Sequence, residues 1–569
     1  MNNASKENIS VYKKFSSLAT MYTRKTAFHY EEEVWTFSDV QNFVNKVANY
    51  FKKQGYKKGD CVGLILENCP DYPCIWLGLS KLGVATALIN TNLVKHSLAH
   101  CIKVANCKAV IFGSNFRQAV EDVVSELDNL VLYDYNRDGI GCMKHTNLKF
   151  EISNSSGADF PVYDNIAGND VLLYIYTSGT TGLPKAAVVT NARYLTFLCF
   201  VQAVLSKIDE LIIYSPMPLY HASGSSGSVS LTLTGGATTV LKKKFSATSY
   251  WKDCAKYKCN MAQYIGEMCR YILSTPYDET IKHNVKYIIG NGLQQSIWKT
   301  YVEKFKIEKV YEFYGATEGN IQLVNVDNKI GSVGCIPFWL RSFTPIFLVK
   351  YDKATGEAIR DSNGRCIKCD TNEAGLIIGK IDTKVAVNRF TGYLGSEANQ
   401  NKVLSDVFEV GDQYFNSGDV LFSDELGYFY FKDRLGDTFR WKGENVSTVE
   451  VEDVLYKVAN FSQISVYGVE IPGTEGRIGM AAIVTNNNSL VNLAKDLKAN
   501  LPSYAVPAFI RIVDSIPITA TFKLKKMELQ KEGFNVNAIK DKIYVLKSDE
   551  YILLTEEIYN DIINHKLRL

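Results

Sequence analysis

The sequence predicts an α/β protein of several layered units, and three observations carry that expectation. Helix-period apolar stripes alternate with short apolar runs along much of the chain. Many of those short runs end in small or polar residues, as strands feeding loops do. The chain has 569 residues, 46% of them apolar and 22% charged, the proportions of a globular protein with a large core. At about 150 residues per domain this length makes three or four units.

The elements follow in order. The stretch SDVQNFVNKVANYFKKQGY (38–56) sets Val40, Phe43, Val44, Val47 and Phe51 on one helical face and ends near Gly55. CVGLIL (61–66) and KAVIFG (108–113) are apolar runs bounded by charge or Gly, which predicts buried strands of a helix-covered parallel sheet. This first block extends to about residue 170. A second, 171–335, has the same grammar: VLLYIYT (171–177), LIIYSPM (211–217) and VKYIIGNG (285–292) each read as a strand. Ligands of open α/β sheets collect at the carboxyl ends of strands, so those endings are where chemistry belongs. From 336 to 434, runs such as EAGLIIGKI and LGYFYFKDR with Gly turns predict a small β-rich subdomain. The last block, 435–569, is another αβ unit, entered through RLGDTFRWKGEN and joined by a mobile hinge near Arg434–Gly436.

Composition excludes several classes. Lys plus Arg (63) against Asp plus Glu (60) leaves a net charge of +3, unlike the clustered basic surplus of a nucleic-acid binder. Thirteen cysteines, an odd number spread over a long chain, read as reduced thiols facing the cytosol. Cys366 and Cys369 form one CxxC with no companion pair, whereas a structural zinc needs four ligands, so they read as ordinary thiols. The first twenty residues lack the apolar core of a signal peptide. No run reaches the ~18 apolar residues of a membrane span. YLTFLCFVQAVL (194–205) and IPFWLRSFTPIFLV (336–349) read as core, with a membrane-resting patch as the alternative.

Three strings carry chemistry. In YTSGTTGLPKAAVVT (176–190), a strand ends at Thr177 and is followed by Ser178, Gly179, Thr180, Thr181 and Gly182, with Lys185 beyond. Small residues let backbone N–H groups approach phosphate oxygens, and the hydroxyls and the lysine add donors. The glycine spacing is not that of a Walker loop. In VYEFYGATEGN (310–320), Thr317 and Glu318 pair a hydroxyl with a carboxylate, suited to a phosphate and its Mg²⁺, while Tyr314 offers a face for a purine. In FNSGDVLFSDELGYFYFKDRLGDTFRWKGENVSTVEVEDVL (415–455), Asp419 follows a Gly after a strand-like stretch, suited to ribose hydroxyls, and Arg434 brings a fork of donors.

Together these strings resemble the adenylate-forming superfamily of acyl-CoA synthetases, luciferases and peptide-synthetase adenylation domains. YGATEGN, DRLGDTFRWKGENVSTVEVE, PGTEGRIGMAAIV (472–484), TATFKLKKMELQKEGFN (519–535), LTEEIYNDI (554–562) and NTNLVKHSLAHC (90–101) resemble one branch, the fatty acid transport proteins, also called very long-chain acyl-CoA synthetases. The resemblance covers the chain from about residue 15 to Leu569.

It implies a large N-terminal adenylation domain, 1–434, of two αβ-layered subdomains (about 1–170 and 171–335) and a β-barrel-like one (336–434), plus a mobile α+β C-terminal domain, 435–569. It implies ATP, Mg²⁺ and coenzyme A, with a long- or very long-chain fatty acid activated through acyl-AMP to acyl-CoA, coupled to fatty acid uptake. By motif position, Thr177–Lys185 would hold the β- and γ-phosphates; Gly290, Asn291, Gly292 and Tyr314 would surround adenine, with Gly315 and Ala316 in the same nucleotide-binding turn. Thr317 would contact the α-phosphate, Glu318 would hold Mg²⁺, and Asp419, with Arg434 nearby, would bind ribose. Lys523 would bridge the substrate carboxylate and the α-phosphate, and His221 in PLYHASG would stand beside the acyl pocket.

The sequence departs from relatives in two places. Gly436 stands at the hinge where many carry Asp or Lys, and the chain starts without the hydrophobic segment that transport-protein relatives have. The resemblance implies a membrane-associated, cytosol-facing location, at the endoplasmic reticulum or plasma membrane, and the missing segment implies either a soluble or peripheral form or a chain that lacks an upstream portion. Two alternatives stay open: a ligase for another carboxylate such as a bile acid, and a lipid-uptake protein in which binding outweighs turnover.

Overall fold

A computed structural model describes residues 10–567, apart from 139–143, 162–164, 178–182, 354, 386–387, 396, 436, 443, 460, 473, 475, 486–489 and 519–525. The helix expected over 38–56 runs Phe37–Lys53. Thr36 caps it by accepting the Asp39 N–H, and Asp39 accepts the Thr36 N–H in return. Its apolar stripe is buried at Val40, Val44, Val47 and Phe51, with Phe43 packed at the margin.

Two large sheets form the N-terminal part. One orders its strands Thr146–Asn147, Val131–Tyr135, Ala109–Gly113, Cys61–Ile65, Ala85–Leu88, Val171–Thr177 and Lys185–Thr190, all parallel except the closing hairpin. The other runs Gln322–Val324, Lys309–Gly315, Tyr287–Asn291, Met261–Ile265, Ile212–Ser215, Thr238–Leu241, Thr26–Tyr30 and Glu33–Thr36, parallel in its middle. Strand membership does not change at residue 170. Thr26–Tyr30 pairs with Thr238–Leu241 in the second sheet, and Val171–Thr177 lies in the first. One hydrophobic core joins both sheets through the helices Val11–Met21, Asp71–Ser80, Asn191–Val204 and Val229–Gly235. The segment 194–205 therefore belongs mostly to a core helix, Asn191–Val204, with Tyr194, Leu198 and Val201 buried.

Between 332 and 434 an antiparallel sheet orders Ser332–Cys335, Tyr428–Arg434, Gln413–Ser423, Gly375–Lys380 and Ile346–Val349, with Val403–Ser405 on Gln413–Ser423. Phe338–Phe343 is a 3₁₀ turn that leaves Trp339 73% exposed. The C-terminal sheet orders Gln463–Val469, Ile478–Val484, Phe509–Ile512, Lys542–Lys547 and Glu550–Leu553. Its strands show period-2 division: Ile464, Val466, Ala481 and Ile483 pack under helices Thr448–Val458 and Leu493–Asn500, while Tyr467, Val469, Met480 and Ala482 face Lys526–Glu532 and Glu556–Ile563. Among the described residues no helix is long and apolar enough to cross a membrane.

Candidate active site

Parallel pairing brings the carboxyl ends of Met261–Ile265, Tyr287–Asn291 and Lys309–Gly315 side by side, so Gly290, Asn291 and Gly292 lie beside the strand end at Tyr314 and Gly315, with Ala316 just beyond it. The approach is too close for side chains. A Cβ on Gly290 would stand 2.1 Å from the Tyr264 carbonyl oxygen, and one on Gly266 would stand 1.6 Å from that of Gly292. Glu312, opposite Gly290 in the register and only 2% exposed, reaches over the turn. Its carboxyl group accepts the Gly292 N–H, the Leu293 N–H at 3.3 Å, and the Tyr264 hydroxyl. Burial pushes Glu312 up to about 8 against the pull of those hydrogen bonds. Sequence reading passed over this residue; the signal was a carboxylate at the centre of an otherwise apolar strand, VYEFYG.

Tyr314 donates its hydroxyl to Asp419 Oδ2 at 2.6 Å, and Arg434 Nε lies 3.2 Å from Asp419 Oδ1. Asp419 and Arg434 are register partners on neighbouring strands. Asp419 was expected after a strand. Instead it lies inside the strand Gln413–Ser423, next to a bulge at Val420 and Leu421 that re-aims its neighbours. Burial and the facing Asp419 carboxylate hold the Tyr314 phenol well up, so it stays a donor. Burial opposes the Arg434 charge, and the Asp419 and Asp437 carboxylates overcome it.

A second group forms around Glu318, which is 7% exposed. Thr177 and Lys185 are opposite each other where their hairpin closes. Thr177 Oγ1 donates to the Tyr393 hydroxyl at 3.2 Å, and Lys185 Nζ lies 5.6 Å from the centre of that ring. Burial and the Glu318 charge raise the Tyr393 phenol, which keeps it protonated. Lys402 Nζ lies 3.7 Å from Glu318 Oε1 and donates to the Ser417 carbonyl at 2.9 Å. Arg193 supports the turn by donating to the carbonyls of Ala316 at 3.0 Å and Thr317 at 2.8 Å. Burial lowers Arg193 to about 10, with Glu318 acting the other way. Tyr393, Lys402 and Arg193 carried no recognisable sequence signal.

His221 stands just before the π-helical stretch Ser223–Ser228. Its ring packs 4.6 Å from that of Tyr220, and its carbonyl accepts the Ser225 N–H and hydroxyl, both at 3.0 Å. Gln263 ties this segment to the sheet, donating to the Ser223 carbonyl at 3.0 Å and accepting the Ser215 hydroxyl at 2.6 Å. On the C-terminal side, Lys526 lies 2.9 Å from Glu452 and donates to Thr448 Oγ1 at 2.7 Å, while the Thr448 N–H donates to Asp433 at 2.8 Å, beside Arg434. Ser178, Gly179, Thr180, Thr181, Gly182, Gly436 and Lys523 lie outside the described residues. Among the described residues no cluster of three or more His, Cys, Asp or Glu could hold a metal ion.

Comparison with known proteins places this arrangement. The model of the AMP-binding enzyme family matches residues 15–360, and that of the AMP-binding enzyme C-terminal domain matches 450–523. The chain is 42% identical to human (Homo sapiens) long-chain fatty acid transport protein 1 over 540 residues, 93% of this chain and 83% of that protein. It is 41% identical to mouse (Mus musculus) long-chain fatty acid transport protein 6, covering 99% of this chain and 92% of that one. Among solved structures, the anthranilate CoA ligase AuaEII in complex with anthranoyl-AMP superposes with a TM-score of 0.80 at 19% identity, covering 93% of this chain and 98% of that one. ATP-bound MatB from Rhodopseudomonas palustris gives 0.77 at 20% identity, covering 92% and 99%. At such identities the structures speak for the shared adenylate-forming fold.

Proposed function

Because the chain belongs to the AMP-binding enzyme family, in its long-chain fatty acid transport protein branch, we propose that it is an ATP-dependent fatty acid:CoA ligase acting on long-chain acids through an acyl-AMP intermediate. The observation that carries this reading is the meeting of Thr177, Lys185, Tyr393 and Glu318 on one side of the nucleotide turn and Tyr314, Asp419 and Arg434 on the other.

A carboxylate is a poor acylating agent because its leaving group would be an oxide. In the first step a carboxylate oxygen attacks the α-phosphorus of ATP and pyrophosphate leaves, giving acyl-AMP. In the second the coenzyme A thiol, losing its proton, attacks the acyl carbon and AMP leaves. The protein's contribution is positioning and charge stabilisation. Asp419, oriented by Tyr314 and Arg434, accepts the ribose hydroxyls. The Gly290–Gly292 turn and the Tyr314 ring enclose the base, and the loop between Thr177 and Lys185 receives the terminal phosphates. Thr317 meets the α-phosphate, its turn held rigid by Arg193. Glu318 fits a hard dication: a buried carboxylate oxygen beside the phosphate hairpin, and one such ligand suffices where Mg²⁺ shares the substrate phosphates. When bound, Mg²⁺ would neutralise charge on the phosphoryl oxygens.

Lys523 supplies the cation between carboxylate and α-phosphate, and the block from 435 onward turns about the Arg434 region between the two steps. His221 borders the acyl entrance. The exposed Trp339 is our candidate for peripheral contact with the membrane that holds the acid.

ATP–pyrophosphate exchange across fatty acids of increasing length, with bile acids as comparison, tests the substrate class. Lys523→Ala is expected to abolish acyl-AMP formation and to retain thioester formation from supplied acyl-AMP. Normal pyrophosphate release by that variant would remove Lys523 from this role.

A further inference from the structure

The strand Tyr287–Asn291 ends in a turn that nothing in the regular sheet holds. Gly292 sits at φ +80, and the next helix does not begin until Gln295. Two backbone donors, the Gly292 and Leu293 N–H groups, point inward there, and unsatisfied they would cost the turn its shape. Both are accepted by one side chain, Glu312, which reaches across from the neighbouring strand while Tyr264 closes on its other oxygen from the opposite strand. Gly290 and Gly266 leave no room for a Cβ, and the strands on either side of Gly290 carry Tyr264 and Glu312 in register with it.

On the reading given above, this turn is one wall of the nucleotide pocket. We propose that Glu312 is a positioning residue for ATP, fixing the Gly290–Leu293 turn through its two backbone hydrogen bonds. It touches no reacting atom and acts through the shape of the wall. The ionisable groups that face it are Tyr264 on Met261–Ile265 and Cys269 on Gly266–Ser274, both held neutral chiefly by burial. Among the described residues its carboxyl is met by burial and by the Tyr264, Gly292 and Leu293 donors, none of them a cation, so a neutral side chain with a carbonyl oxygen can replace it.

The test uses the full chain with Glu312→Ala and Glu312→Gln. For ATP in pyrophosphate release, Glu312→Ala is expected to raise KM about tenfold or more with kcat changed less than about threefold. Glu312→Gln, which keeps an acceptor for both N–H groups, is expected to stay within about threefold of the parent for both constants. Amide hydrogen exchange reads the same brace with no nucleotide present: exchange at Gly292 and Leu293 should rise about tenfold or more in Glu312→Ala and stay slow in Glu312→Gln. Unchanged exchange and unchanged KM in a folded Glu312→Ala overturn the proposal, as does a Gln variant as impaired as Ala. Should the parent release no pyrophosphate with any acid, the ligase reading fails, while the exchange experiment still decides whether Glu312 holds the turn.

Discussion

The Tyr314–Asp419–Arg434 group makes the sharpest demand on the proposed site, because its members are predicted to work as one unit. Tyr314→Phe deletes a single oxygen and keeps the ring. The bond lost is a 2.6 Å hydroxyl-to-carboxylate contact, within the short range of charge-assisted hydrogen bonds, and its acceptor is 9% exposed, so water replaces it poorly. Such bonds contribute about 1.5–3 kcal/mol. Asp419 then keeps only the 3.2 Å contact to Arg434 Nε and is free to turn from the ribose position. The ATP KM should rise roughly 10- to 100-fold, since each 1.4 kcal/mol is about a factor of ten. Asp419→Asn removes the negative charge and turns one of its two acceptor oxygens into an NH2 donor, and should cost at least as much. In the Asp419→Asn background the Tyr314 hydroxyl has already lost its charged acceptor, so deleting it there costs less. The combined cost should therefore fall short of the sum by about 1 kcal/mol or more, roughly fivefold in KM. The assay is the four-member cycle, in steady-state pyrophosphate release and in calorimetric titration with ATP. Additivity within about 0.5 kcal/mol would refute the reasoning, because independent residues behave that way.

Three further expectations follow from the same geometry. Gly266→Ala puts a Cβ 1.6 Å from the Gly292 carbonyl oxygen, so the turn must shift; the melting temperature should fall and ATP should no longer raise it, as read by thermal shift. Lys526→Met leaves Glu452 without its 2.9 Å partner, which costs about 3–5 kcal/mol for a buried pair; scanning calorimetry should show the earliest transition moving down, with a smaller loss when Glu452→Gln, which still accepts the Val466 N–H, is added. Glu312 carries a pH signature with a definite sign. Its carboxyl is raised to about 8 in the folded chain from an ordinary 4.5, so its contribution is fully present below about 4.5 and is lost as pH rises through about 8. The melting temperature of Glu312→Gln minus that of the parent should grow between pH 5 and 8 and level off above; a constant difference would show that the carboxyl does not titrate in that window.

Local periodicity carried the elements well, for a physical reason. The stripe Val40–Phe51 and the run Val171–Thr177 need only their own residues to declare a buried face. Sheet membership was not legible in the same way. Thr26–Tyr30 pairs with Thr238–Leu241, more than two hundred positions away, and its burial pattern would be the same beside any apolar neighbour. Candidate site residues divide along the same line. Thr317, Glu318, Asp419 and Arg434 stand in contiguous strings whose chemistry is visible together. Arg193, Tyr393, Lys402 and Glu312 each look like an ordinary surface or strand residue until the fold sets them against Ala316, Thr177, Glu318 and Gly292. A bulge shifts the register just after Asp419, which a string of letters does not display.

The charge balance of the whole chain is repeated at the candidate site, and this bears on how a polyanion would be recognised. A net charge of +3 gives little long-range attraction for ATP or coenzyme A. Locally, Arg434 already faces Asp419, Lys402 faces Glu318, and Arg193 is engaged by two backbone carbonyls. These cations are held at fixed positions by neighbouring acceptors, so they define where phosphate and sugar oxygens fit without building a broad positive field. Discrimination then comes from geometry at short range. The association rate of ATP should accordingly change little, within about threefold, between low and physiological salt, whereas steered association falls steeply over that range. Stopped-flow measurement of ATP binding at both ionic strengths checks this, and a tenfold fall would show that a positive surface outside the paired site guides the nucleotide in.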